Sequence, residues 1–288
     1  MDLSVRLTSA ALNAGSVLST KLAGKVSFYL FCRPLARSKV RGTEREVHER
    51  AVTETLTVNG KQVVAYRWGD GSRPVLLLHG WRSRASRYAP LVQRLQELGC
   101  TAVSFDAPAH GDSQGDTVTI LEYRELIAQL QEKYGTFESV VAHSFGVLCS
   151  FLALREPLRA GRLVAIAGMS DFQFLRDEFA DQTKLNARLR ADLQRRIETE
   201  LFPHQADPWV DFDAKQHTGQ IDLPILVIHD EDDDTVPVAQ AHRLKAAYGD
   251  QLELVVTKGL GHRKIMTDPA VLDSAIGFLV PESVGEVG

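Results

Sequence analysis

The chain has 288 residues, 44% apolar and 24% charged, ordinary proportions for a globular protein of one α/β domain with an insertion, or at most two small domains. A net charge of −4 and the lack of any RNA- or DNA-reading motif argue against a nucleic-acid binder. Cys32, Cys100 and Cys149 are odd in number and far apart, so neither a disulfide framework nor a metal site is expected, and a reducing, cytoplasmic compartment fits best.

Residues 3–43 carry seven basic residues (Arg6, Lys21, Lys25, Arg33, Arg37, Lys39, Arg41) and no acid. This sets a basic, amphipathic N-terminal segment, residues 1–50, apart from a domain expected over 51–280. The segment lacks an apolar run long enough to span a bilayer and the h-region and cleavage site of a secretory signal. Leu18, Leu22, Val26, Tyr29 and Leu30 recur at helical spacing. They predict a helix packed on the outside of the domain; the alternative is a surface helix giving residues 1–45 a peripheral contact with an anionic membrane face.

Next, 53–58 and 63–68 alternate apolar and polar residues around Asn59-Gly60, the pattern of a hairpin with a two-residue turn. The continuous apolar run 74–79 predicts a buried strand. Helix, strand and helix follow over 88–98, 101–105 and 119–134, then a strand at 139–143, a helix at 145–155 and a strand at 163–167. The rhythm breaks over 170–222, where Phe172 to Leu201 reads as one or two amphipathic helices. It resumes with a strand at 224–229, a helix at 238–248, a strand at 252–257 and a helix at 269–279. Repeated strand–helix units predict a mostly parallel central sheet flanked by helices. The segment 170–222 is then a helical cap over the strands' C-terminal ends, where ligands bind in such sheets.

The strongest local signal is Ala142-His143-Ser144-Phe145-Gly146, between a strand and an apolar helix. A serine on such a turn stands above the sheet, and small residues two before and two after let the turn close; the bland reading is a helix-capping serine. Ser144 needs a base. His262, in Gly259-Leu260-Gly261-His262, follows the last strand, where a glycine-flanked loop can carry an imidazole over the sheet. His143, His229 and His242 are more simply explained by packing or exposure. The base needs an orienting carboxylate. Five consecutive acids, Asp230 to Asp234, follow the strand 224–229; the ending Asp-x-x-Val-Pro favours Asp233, with Asp232, Asp230 and, on another strand, Asp171 as alternatives. The amides of Phe145 and of Trp81, in His79-Gly80-Trp81, are the candidate donors to an oxyanion. Phe172, Phe174, Leu175 and Phe179 are candidates for the substrate pocket, although they could anchor the cap instead. Arg82, Arg84 and Arg87 could receive an anionic group or simply begin a solvated helix. Cys149 reads as core packing.

Together with the Asp106–Ser113 segment (DAPAHGDS), these motifs resemble the α/β-hydrolase superfamily, over about residues 53–280. Ala109 and Ala142 stand where glycine is usual there. The resemblance implies the α/β-hydrolase fold and a serine hydrolase with Ser144, Asp233 and His262 in the superfamily's chain order. It implies a structural role for Asp106 and His110. Relatives that open epoxides or remove halides use Asp as nucleophile, so Ser144 speaks against those reactions. The expected activity is hydrolysis of a small-molecule carboxylic ester through an acyl-enzyme, without cofactor or metal. A thioesterase, an amidase, a C–C bond hydrolase or a non-catalytic binding protein on the same fold are the alternatives.

Overall fold

The computed structural model describes residues 3–279. Residue 280, the expected end of the domain, and the side chain of Arg6 lie outside the described set. Eight strands form one sheet in the order β1-β2-β4-β3-β5-β6-β7-β8. They are β1 Val52–Val58, β2 Lys61–Trp68, β3 Pro74–Leu78, β4 Thr101–Phe105, β5 Ser139–His143, β6 Leu163–Ile166, β7 Ile225–Asp230 and β8 Leu252–Thr257. β1 and β2 are antiparallel and, with the β2–β4 pair, make the sheet's one antiparallel edge. Every other pair is parallel. The hairpin closes through Asn59 and Gly60, both with positive φ, as a turn matching the twist of its strands requires.

The helices are α1 Leu3–Leu18, α2 Thr20–Phe31, α3 Arg45–Glu49, α4 Ala89–Glu97, α5 Ile120–Tyr134, α6 Phe145–Arg155, α7 Phe172–Gln182, α8 Ala187–Arg196, α9 Pro208–Asp211, α10 Ala239–Tyr248, α11 Gly261–Lys264 and α12 Pro269–Leu279. Helix α5 begins where sequence chemistry says it should: Thr119 accepts from the Glu122 amide, and the Glu122 side chain accepts from the Thr119 amide, a reciprocal cap. Central strands alternate their side chains between two cores. Leu76, Leu78, Val140 and Ala142 enter one; Val75, Leu77, Val141 and Val164 enter the other. Both faces of the sheet are therefore covered, and the open working edge is at the strand ends.

The N-terminal segment corrects an expectation. It folds as two helices, and α2 is apolar on both sides. Ala23, Gly24, Ser27 and Phe31 form its buried face; of the stripe expected to pack, Leu22, Val26 and Tyr29 on α2 and Leu18 at the end of α1 are exposed, and Leu30 is half-buried against the core. Periodicity reveals which residues share a face but not which face meets the protein. The buried side of α2 lies against α8, close enough that a Cβ on Gly24 would fall 1.9 Å from Asp192 Oδ2. The Asn186 amide donates to Asn13 Oδ1 at 2.9 Å, and Asn13 Nδ2 to Lys184 O at the same distance. Residues 170–222 hold α7, α8, a π turn over Ile197–Leu201 and α9, so the N-terminal helices are seated on that segment.

Candidate active site

Three strand ends converge. Ser144 follows β5 and caps α6, with φ 57° and ψ −121°, a strained combination for a residue with a side chain. Two close approaches make the turn possible. A Cβ on Gly146 would lie 2.3 Å from Leu78 O, and one on Gly80 would lie 2.6 Å from Ser144 Cβ. The Ser144 amide donates to Ile166 O of β6 at 3.0 Å, so the strain is held by the sheet itself.

His262 lies on the single helical turn α11 after β8 rather than in an open loop. Its Nε2 is 3.0 Å from Ser144 Oγ, and its Nδ1 is 2.8 Å from Asp233 Oδ2. With Nδ1–H donating to the carboxylate, Nε2 is left as an acceptor facing the serine hydroxyl. Asp233 Oδ1 accepts from the amides of Thr235 and Val236 at 2.9 and 2.8 Å. Burial opposes its charge. Hydrogen bonds from His229, His262 and the Val236 amide, with His262 as a charge partner, nevertheless hold its carboxyl well below the usual carboxylate range.

Phe145 opens α6, and the first amides of a helix have no intrahelical acceptor. The main chain at Gly80–Arg82 lies against the serine and is clamped from both sides. His79 Nδ1 bonds Gly80 O at 2.8 Å, and the Arg82 amide donates to His110 Nε2 at 3.0 Å. The Trp81 ring meets Phe145 edge-on at 6.0 Å. Phe145 thus follows the serine directly, and Gly80, the residue before Trp81, lies against the Ser144 side chain.

A family model described as the alpha/beta hydrolase family matches residues 75–275. The chain belongs to the alpha/beta hydrolase family. It is 25% identical over 235 residues to the esterase YjfP of Escherichia coli, covering 74% of this chain and 92% of that one. It is 22% identical over 265 residues to a monoacylglycerol lipase of Mycolicibacterium smegmatis, covering 77% and 94%. Among solved structures it resembles the Pyrococcus furiosus esterase Pf2001 with a TM-score of 0.62 at 23% identity, covering 85% of this chain and 96% of that one.

Within this alpha/beta hydrolase the remaining candidates separate. Asp171 caps α7 by accepting from the Phe174 amide at 2.7 Å and pairs with Lys215, so it does not orient His262. Asp232 accepts from the Gly259 amide at 3.0 Å. Asp230 accepts from the Leu260 and Gly261 amides at 3.1 and 2.9 Å and from Thr257 Oγ1 at 2.7 Å. It ties down the segment that carries His262, a positioning role the acidic run did not reveal. His143 supplies a second brace, its Nε2 donating to His262 O at 3.0 Å. Arg84 is buried between Asp106 and Asp112, and Arg87 pairs with Glu44; both are committed to the scaffold, while Arg82 is exposed. Asp106 also accepts from Tyr66 Oη, at 2.9 Å, and from the Ala85 amide, at 2.8 Å. Cys149 is buried, and burial pushes its thiol well above the ordinary range, which suits packing rather than nucleophilic chemistry.

The pocket candidates also divide. Phe172 is buried in an aromatic cluster with Phe31, Phe202, Trp209 and Phe212, and Phe179 meets Phe31 edge-on at 5.3 Å. These two anchor α7 to α2 and α9, so the lining role expected of them gives way to the anchoring one. Phe174 and Leu175 are half-buried. Among the described residues, no group of three or more His, Cys, Asp or Glu is placed to hold a metal.

The clamp makes a pH prediction. Burial lowers the pKa of His79 to about 4, of His110 to about 3 and of His143 to about 3, all from 6.5 in the free side chain. The unfolded chain therefore binds these protons first as pH falls. Stability is full above pH about 6.5 and is lost progressively toward pH 4, by up to roughly 1.4 kcal/mol per pH unit for each ring. Urea unfolding between pH 7 and pH 4.5 should give a steep slope that His110→Gln lowers by up to roughly 1.4 kcal/mol per pH unit. An unchanged slope in that variant would show that neutral His110 is not required by the fold.

Proposed function

We propose that this protein is a serine hydrolase that cleaves a carboxylic ester of a small to medium apolar substrate. The observation that carries the reading is the unbroken hydrogen-bonded chain from Asp233 through His262 to Ser144. His262 Nε2 takes the Ser144 proton as Oγ attacks the ester carbonyl. The Phe145 and Trp81 amides receive the oxyanion. The tetrahedral intermediate collapses as His262 returns the proton to the leaving alcohol. Water, deprotonated by the same imidazole, then attacks the acyl-serine, and His262 returns that proton to Ser144 Oγ as the acid is released. Asp233 stabilises the imidazolium and fixes its tautomer throughout. The relatives named esterase and monoacylglycerol lipase support an ester over an amide.

Residues 170–222 act in this reading as a helical cap, with Phe174 and Leu175 toward the acyl group and Phe172 and Phe179 as its anchors. The three cysteines are free, which suits a cytoplasmic enzyme. None of the described helices is long and apolar enough to cross a membrane.

A fluorophosphonate probe should label the protein once, with the adduct mapping to the peptide containing Ser144. A p-nitrophenyl ester panel should be hydrolysed with a chain-length optimum. A catalytically silent, unlabelled but folded protein would leave only the binding-protein reading.

A further inference from the structure

Among the described residues, ten large apolar side chains are left exposed, and six of them lie between positions 17 and 35. Val17 and Leu18, at the turn between α1 and α2, are 77% and 92% exposed, and Leu22 is 65% exposed. Leu22, Val26 and Tyr29 of α2 follow one another by four and three residues, which places them on one face of the helix, with Leu18 at the end of α1 just before it. That face is opposite the one α2 buries against α8. Scattered apolar residues on a surface are normal, but a contiguous cluster marks a binding surface.

The charge around the row says what kind of surface it meets. Lys21 and Lys25 are exposed beside it, and no acid occurs from residue 3 to residue 43; the Arg33 guanidinium lies 3.9 Å over the Tyr29 ring and is paired with Asp116 at 2.9 Å. Lysine is depleted at the buried centre of protein interfaces. An apolar row edged by lysines, whose stems can lie along hydrocarbon while the ammonium stays in water, is the pattern of a helix lying in a lipid headgroup layer. We infer that the α1–α2 hairpin docks this protein on an anionic bilayer, with the exposed face of α2 and the Val17–Leu18 turn entering the headgroup region.

The seating of the hairpin gives the contact a consequence. Phe31, on the docked face of α2, packs on Phe172 and Phe179 of α7, and Arg196 of α8 donates to Lys21 O at 3.4 Å. A bilayer against the exposed face of α2 is therefore separated from α7 and α8 by that helix. The docking itself does not depend on the catalytic reading, because it is measured as binding.

The test is flotation of the full chain with phosphatidylcholine vesicles, with and without about a third phosphatidylglycerol. The protein should float with the anionic vesicles, less so at high salt, and not with the neutral ones. Leu18→Asp and Leu22→Asp should each weaken binding by about tenfold or more, and Lys21→Gln and Lys25→Gln by about fivefold each. Val210→Asp, which alters an exposed apolar residue outside the patch, should bind as wild type. No flotation of the wild type, equal flotation with neutral vesicles, or unchanged binding by the two leucine variants would each overturn the inference. So would a dimer in sedimentation, lost on Leu22→Asp, in a protein that does not float; the face would then belong to a second copy of the chain.

Discussion

Ser144→Ala is expected to lower kcat for p-nitrophenyl ester hydrolysis by about 10⁶-fold, the scale seen when a triad nucleophile alone is removed. The structure indicates why the loss should be chemical rather than conformational. Ser144 Oγ has one side-chain partner, His262; the turn is held instead by the Ser144 amide on Ile166 O and by the glycines at 80 and 146. Alanine keeps that amide and needs no new space. Stability should change by no more than about 1 kcal/mol, so the variant can be compared as folded protein. Substrate should still bind, since the substitution removes only the Ser144 hydroxyl. Residual turnover should exceed the uncatalysed rate by about 10³–10⁴-fold, through the oxyanion donors and binding alone. A variant within tenfold of wild type would exclude Ser144 as the nucleophile.

The sheet and the strand-end residues were legible in the sequence because each rests on local chemistry. Asn59-Gly60 fixes the hairpin, the apolar runs of β3 and β7 mark strands covered on both faces, and Gly146 is demanded by the close approach of Leu78 O. Elements whose meaning depends on a partner were not legible. The stripe on α2 announced a helix, but the residues that dock are its small ones, Ala23, Gly24 and Ser27, which periodicity of large apolar residues passes over. Phe172 and Phe179 lie seven residues apart on α7, and their partner Phe31 is 141 and 148 positions away in the chain. A structural role was expected of His110 and of His143, but not which backbone groups they and His79 would hold. These rings matter because each spends a ring nitrogen on the backbone beside Ser144 or His262, and such a bond cannot be read from spacing.

Asp233→Asn should lower kcat by about 10⁴-fold, the scale seen when the orienting carboxylate of a triad becomes an amide. The direction follows from the bonds around it. Oδ1 accepts from the Thr235 and Val236 amides, so the asparagine carbonyl must take that side to leave neither donor unpaired. Its NH₂ then faces His262 Nδ1, which has to become the acceptor. The proton moves to Nε2, the atom 3.0 Å from Ser144 Oγ, and the serine loses its base. His229 cannot substitute, because its Nε2 donates to Val236 O at 2.7 Å and lies 3.5 Å from the carboxylate. The adjacent acids supply the controls. Asp232 touches only the Gly259 amide by its side chain, and Asp232→Asn should cost less than about tenfold. Asp230→Asn should act on the segment that carries His262, appearing as a lower Tm together with a smaller loss of kcat, because Asp230 holds Leu260 and Gly261 without touching the imidazole. Measuring kcat and Tm for the three variants separates the roles: if Asp232→Asn fell by orders of magnitude while Asp233→Asn stayed near wild type, the orienting carboxylate would be Asp232. The amide side chain retains Asp233's shape and most of its hydrogen bonds, so a loss confined to Asp233→Asn in folded protein would isolate the proton's position on His262 as the quantity that the carboxylate controls.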